Sequence, residues 1–147
     1  MRVVSFVPGA TAALAALGQR QHLVGVTHEC GQVADLSGVD ARVLTRSRVP
    51  TGGSGSVIDQ AVRNAHANKN DLWVLDGQGL VALQPDVVVV PVDPPEGRTP
   101  CLLSFYEIRH VTSTMSPSPR LVAFGSSNLQ EVFGSIRALG EALGPGA

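Results

Sequence analysis

Between Asp86 and Asp93 the chain reads "DVVVVPV", four valines in a row followed by Pro91 and Val92. Successive side chains of a β-strand leave opposite faces, so a run that is apolar at every position is a strand buried on both sides. Strands of that kind belong inside parallel sheets whose two faces are covered. This one segment asks for an α/β chain, and the remaining pattern can be read for the other strands and helices.

Val3 to Val7 is β-branched and aromatic and reads as a strand. Pro8-Gly9 reads as a turn, Thr11 to Leu17 as an Ala/Leu-rich helix stopped by Gly18, and His22 to Thr27 as a second strand. A strand–helix–strand unit this short implies a right-handed parallel crossover. Residues 31–40 read as loop, Val43-Leu44 as a short strand, and "TRSRVPTGGSGS" as loop again, with Ser54 or Ser56 placed to cap a helix. Val57, Ile58, Ala61, Val62 and Ala65 recur at helical spacing to about Asn68. Leu72 to Leu75 is another strand, and Leu80, Val81 and Leu83 form a short helix ended before Gln84-Pro85. After the valine run, "DPPEGRTP", "CLLSFYEI" and "TSTMSPSP" carry no firm pattern, so residues 94–119 are expected to be irregular. Leu121 to Phe124 is the last strand. Leu129, Val132, Phe133, Ile136, Leu139 and Leu143 then mark an amphipathic helix, with Ser126 or Ser127 as cap and Glu131 near its positive end. Alternating strands and helices predict an α/β fold with a mostly parallel sheet.

The chain is long enough, at 147 residues, for one domain with a working core. With 44% apolar and 16% charged residues it has a globular balance. A net charge of −1 and an aromatic content of 4% give no reason to expect a nucleic acid or an anionic membrane as partner. A small molecule is the expected class. Cys30 and Cys101 lack CxxC spacing and set up no disulfide framework. The N-terminal "MRVVSFVPGATAALAALGQ" imitates a secretory signal, but Pro8-Gly9 interrupts the apolar run, so it is read as strand and helix. No stretch is long enough for a membrane span. As written, the chain reads as cytoplasmic, or as the mature form of an exported protein.

Ligands of parallel α/β sheets sit outside the carboxyl ends of the strands. The Pro8-Gly9 turn, Thr27 to Cys30, Thr45 to Arg48 and Val92-Asp93 all follow strands and should share that edge. Within "VGVTHEC", His28, Glu29 and Cys30 are adjacent rather than spaced as metal ligands are, and His22, His66 and His110 add no ligand spacing, so no metal site is expected. Cys30 with His28 as base is a hydrolase-like alternative, because residues two apart on an extended chain leave the same face; a buried inert thiol is the plainer reading. "TGGSGS" could cradle phosphate but lacks the ending of a P-loop. Arg46 and Arg48 could hold a carboxylate or phosphate, although paired loop arginines are commonly surface charges. Trp73 reads as core. A binding rim is the favoured reading of residues 27–30, and a solvated strand end the alternative.

In order along the chain, "RVVSFVPGATAALAALG", "LVGVTHEC", "LTRSRVP", "SVIDQAV", "LVALQPDVVVV" and "LQEVFGSIRALGEALG" resemble the N-terminal lobe of the helical-backbone (class III) substrate-binding proteins of ABC importers, and among them the cobalamin-binding branch. The resemblance covers roughly residues 2–90 and 120–143. It implies a three-layer lobe, a second lobe beyond a long connecting helix that starts near residue 127, and a ligand gripped between lobes without chemistry or cofactor. Carried over, Pro8, Gly9 and Ala10 match the first ligand-facing turn, Thr27, His28 and Glu29 the second, and Thr45, Arg46, Ser47 and Arg48 the third. The implied ligand is cobalamin, the implied partner an ABC permease; haem, siderophores and metals are served by the same fold family. The chain departs from that branch at Gly31, Gln32 and Val33, which stand where relatives carry Asp-Tyr-Pro, and at Gln78, which stands where an acidic residue often precedes the LVAL-like helix. One lobe alone would hold a corrin-sized ligand from one side, and an exposed Phe133, Ile136 and Leu143 face would favour a homodimer.

Overall fold

A computed structural model of the protein describes residues 1–49, 52–67, 72–92, 105–125 and 128–144. Seven strands and six α-helices follow one another through these segments: β1 (Val3–Ser5), α1 (Pro8–Ala16), β2 (Leu23–Val26), α2 (Cys30–Val33), β3 (Arg42–Val43), β4 (Thr45–Ser47), α3 (Gly55–Ala67), β5 (Trp73–Leu75), α4 (Gly77–Leu83), β6 (Val87–Pro91), α5 (Phe105–Ser113), β7 (Arg120–Phe124) and α6 (Leu129–Leu143), with a 3-10 turn at Arg20–His22. Five strands form one sheet in the order β3-β2-β1-β6-β7, every pairing parallel. β4 and β5 form a separate antiparallel ribbon.

The valine run behaves as its composition demands. β6 lies inside the sheet between β1 and β7, and its side chains alternate between two cores. Val87 and Val89 join Val3, Leu14, Leu139 and Leu143 under α1 and α6. Val88 and Val90 join Val4, Leu80 and Ile108 under α4 and α5, together with Trp73 and Leu75 of the ribbon. Helices therefore cover both faces of a parallel sheet, a three-layer α/β architecture.

Several elements differ from the pattern reading. Pro8-Gly9 is not a turn before a helix but the first turn of α1, with Val7 as N-cap and Pro8 just inside the start. The N–H that proline lacks is one a helix leaves unpaired there anyway. Gly18, at φ +71°, ends that helix region as expected. Residues 45–47, expected as loop, are strand β4, because their partner β5 lies too far along the chain for local pattern to reveal. The region expected to be irregular contains α5, whose Ile108 is fully buried; residues 93–104 lie outside the described segments. Helix α3 forms, yet Val57 and Ile58 on it are exposed. The caps expected at Ser126 or Ser127 also fall outside the described residues, and Asn128 caps α6 by accepting the Glu131 N–H at 3.0 Å.

The last helix does not stand free. Leu139, Ala142 and Leu143 are buried against the sheet, and Ile136 packs beside them. Of the face expected to drive self-association, Phe133 alone is exposed, with Leu129 one turn before it. Ser135 Oγ donates to the Gly125 carbonyl at 3.2 Å and ties the helix to the end of β7. Among the described residues, no helix is long and apolar enough to cross a membrane.

Candidate functional site at the carboxyl edge of the sheet

Because all five strands of the main sheet run in one direction, the residues that follow them gather on a single edge. Pro8 and Gly9 follow β1, Thr27 to Cys30 follow β2, Thr45 follows β3 after one residue, Val92 follows β6 and Gly125 follows β7. Asp93 lies outside the described residues. Gly9 is close to Phe124: a Cβ added there would sit 3.6 Å from its ring.

Side chains knit the first three of these segments together. Ser5 Oγ donates to the Val7 carbonyl at 3.1 Å, and Thr11 Oγ1 donates to Ser5 Oγ at 2.9 Å. Cys30 Sγ lies 3.0 Å from Thr11 Oγ1 and 3.1 Å from Thr27 Oγ1. Each hydroxyl has one hydrogen, so the directions follow. Thr11 gives its hydrogen to Ser5, which leaves the Cys30 S–H to donate to Thr11 and the Thr27 hydroxyl to donate to sulfur. Thr27 Oγ1 in turn accepts the Glu29 backbone N–H at 3.3 Å. The result is a one-way chain of donors from the β2 rim to the start of α1.

His28 belongs to a different set. Its backbone N–H donates to Thr45 Oγ1 at 3.1 Å, its Nδ1 lies 2.8 Å from the same oxygen, and its ring meets Trp73 edge-on at a centroid distance of 4.7 Å. Cys30 packs in the core under α1, whereas Trp73 packs in the core on the other face of the sheet. Cys30 and His28 thus bond to different partners, Thr11 and Thr27 for the thiol and Thr45 for the ring. Helix α2 begins at Cys30, so the extended geometry that would have put the two side chains together does not apply. Cys30 is a fully buried thiol.

The candidate residues therefore divide into rim and support. Pro8 and Glu29 are half-buried, His28 likewise, and Gly9 is exposed; these four line the surface. Ala10, Thr27 and Thr45 are buried and hold the surface from below. Along β4 the side chains alternate, so Arg46 leaves the face opposite to Thr45 and Ser47. Ser47 Oγ is engaged with residue 49, donating to its carbonyl at 3.1 Å and accepting its N–H at 3.0 Å. Arg48 is exposed, its backbone N–H donating to the Leu72 carbonyl at 2.8 Å. Both arginines are exposed. Arg46 borders a groove of about 470 Å³ between β3–β4 and β5, with Val43, Thr45, Val74 and Asp76. Asp76 there is neutralised by Arg42 at 2.8 Å.

Among the described residues, no three His, Cys, Asp or Glu side chains come together as a metal site. Trp73 is the partner of His28 that the sequence could not have supplied, since the contact depends on the β4–β5 ribbon. No protein-family model matches the chain, and no curated protein matches it.

Proposed function

We propose that the chain is a non-enzymatic ligand-binding lobe whose ligand seats on the rim formed by Pro8, Gly9, His28 and Glu29, with a corrinoid as the ligand class and delivery to an ABC permease as its use. The observation that carries this reading is that separate strand-following segments are locked to one another by Thr11–Cys30–Thr27 and His28–Thr45. A rim ordered before its ligand arrives loses less conformational entropy on binding, which is where a binding protein gains affinity. The ligand class and the permease rest on the resemblance of the ordered segments, from "SFVPGAT" through "VGVTHEC" to "LVALQPDVVVV".

The test uses a built-in probe. Trp73 is the single tryptophan of the chain, and its ring touches that of His28. Titration with cobalamin, with haem and a siderophore as controls, is expected to quench Trp73 fluorescence saturably for cobalamin, with matching heat in calorimetry and no turnover. Replacing His28 by Ala should weaken binding by about tenfold, close to 1.4 kcal/mol. A folded protein that gives neither quenching nor heat with any of the three would overturn the reading.

A further inference from the structure

The Thr45 hydroxyl decides which nitrogen of His28 carries the ring hydrogen. The His28 backbone N–H can only donate, so Thr45 Oγ1 accepts it at 3.1 Å. That leaves the hydroxyl hydrogen of a buried residue to be placed, and the acceptor it meets among the described residues is His28 Nδ1, at 2.8 Å. If Nδ1 carried the hydrogen, Thr45 would accept twice and its own hydrogen would be buried without a partner. Such an unmade bond disfavours that arrangement by roughly tenfold or more in population. The neutral ring therefore accepts at Nδ1 and bears its hydrogen on Nε2.

Nε2 itself has no hydrogen-bond partner among the described residues, yet no buried side-chain nitrogen or oxygen there lacks one. Nε2 is consequently open to solvent. Trp73, edge-on at 67°, backs the ring.

We propose that His28 sets ligand specificity as an Nε2–H donor, so that the ligand group seated against it is an oxygen acceptor, a carboxylate or an amide carbonyl, in preference to a metal centre. A nitrogen that bears hydrogen has no lone pair to coordinate a metal, so coordination would first have to move the hydrogen to Nδ1 against the preference that Thr45 sets. This inference rests on the ligand-binding reading above and narrows it: a corrinoid would meet His28 through a side-chain amide carbonyl rather than through cobalt.

Two measurements test it separately. Nitrogen-15 NMR of the histidine rings in the ligand-free protein is expected to show His28 with Nε2 protonated and Nδ1 bare, and Thr45→Val to raise the Nδ1–H population. An Nδ1–H tautomer in the unsubstituted protein overturns the inference whatever the binding data show. Titrations with aquocobalamin and haemin supply the second arm. His28→Phe is expected to weaken cobalamin binding by about tenfold, while His28→Gln, which returns an N–H donor at similar reach, stays within about threefold. The visible spectrum of bound aquocobalamin should be the same in all three proteins. A metal-centred spectral change that requires His28 overturns the donor role. Absence of binding by every probe overturns the ligand-binding reading and the specificity claim with it, and the tautomer spectrum then still reports whether Thr45 fixes the ring.

Discussion

Cys30 shows how a side chain that looks reactive in sequence can be structural in the fold. Its thiol is the middle link of a chain that runs from Thr27 through Thr11 to Ser5, and each member donates once. Serine at this position keeps one donor and two acceptor lone pairs in nearly the same place. Cys30→Ser is therefore expected to cost under about 1 kcal/mol, whereas Cys30→Ala strands the Thr27 donor and opens a small void, for about 1–3 kcal/mol. Urea denaturation of both variants measures the difference. Equal loss in the two would mean that packing, not hydrogen bonding, is what Cys30 provides. The residue types at 27–30 were legible as the polar end of a strand. Which of them line the surface was not, because that depends on the turn at His28 and Glu29 that leads from the strand into the helix at Cys30.

Among the elements, α4 illustrates how a short helix is held. Asp76 caps it by accepting the Gly79 N–H at 2.8 Å and reaches Arg42 on β3 with its other oxygen, also at 2.8 Å. A Cβ at Gly79 would collide with that carboxylate, which explains the glycine. Gln84, at φ +44°, closes the far end just before Pro85. Asp76→Ala should cost about 1–2 kcal/mol, mostly from the lost cap, since an ion pair between half-exposed groups contributes little. A shift in the urea midpoint that is abolished by high salt would instead assign the effect to Arg42. The pattern of "LVAL" before Gln-Pro located this helix in the sequence. Strand β4 and helix α5 escaped it: β4 is three residues long and defined by pairing to β5, and α5 is rich in β-branched and hydroxyl residues whose helix depends on burying Ile108.

At the scale of the molecule, one of the two cores closes directly on the sheet at Gly25. A Cβ on this residue would lie 2.8 Å from Leu44 Cδ1 and 2.9 Å from both Leu83 Cδ1 and Val4 Cγ2. Side chains from β1, from α4 and from the residue between β3 and β4 converge there, and each would have to shift to admit a Cβ. Gly25→Ala is expected to destabilise by about 1–3 kcal/mol through overpacking, and to disturb the β2 end on which Thr27 and His28 stand. Chemical denaturation gives the first effect; loss of the His28 NMR signature described above gives the second. A neutral Gly25→Ala would show that these side chains can move aside.

What the sequence determined by itself is the sheet and its direction. Four consecutive valines cannot be half-exposed, and the β1–α1–β2 unit reads as a parallel crossover, so a parallel sheet with one carboxyl edge was legible in the sequence, whereas the antiparallel β4–β5 pair joined through α3 was not. Tertiary structure decided the division of labour along that edge. Thr27, Thr45 and Ala10 became supports, Arg46 turned to the opposite face of the ribbon, and His28 acquired Thr45 and Trp73 as partners. The reason is physical: local pattern encodes which face a residue takes within its own element, whereas hydrogen-bond partners seventeen or more residues away are set by how elements pack.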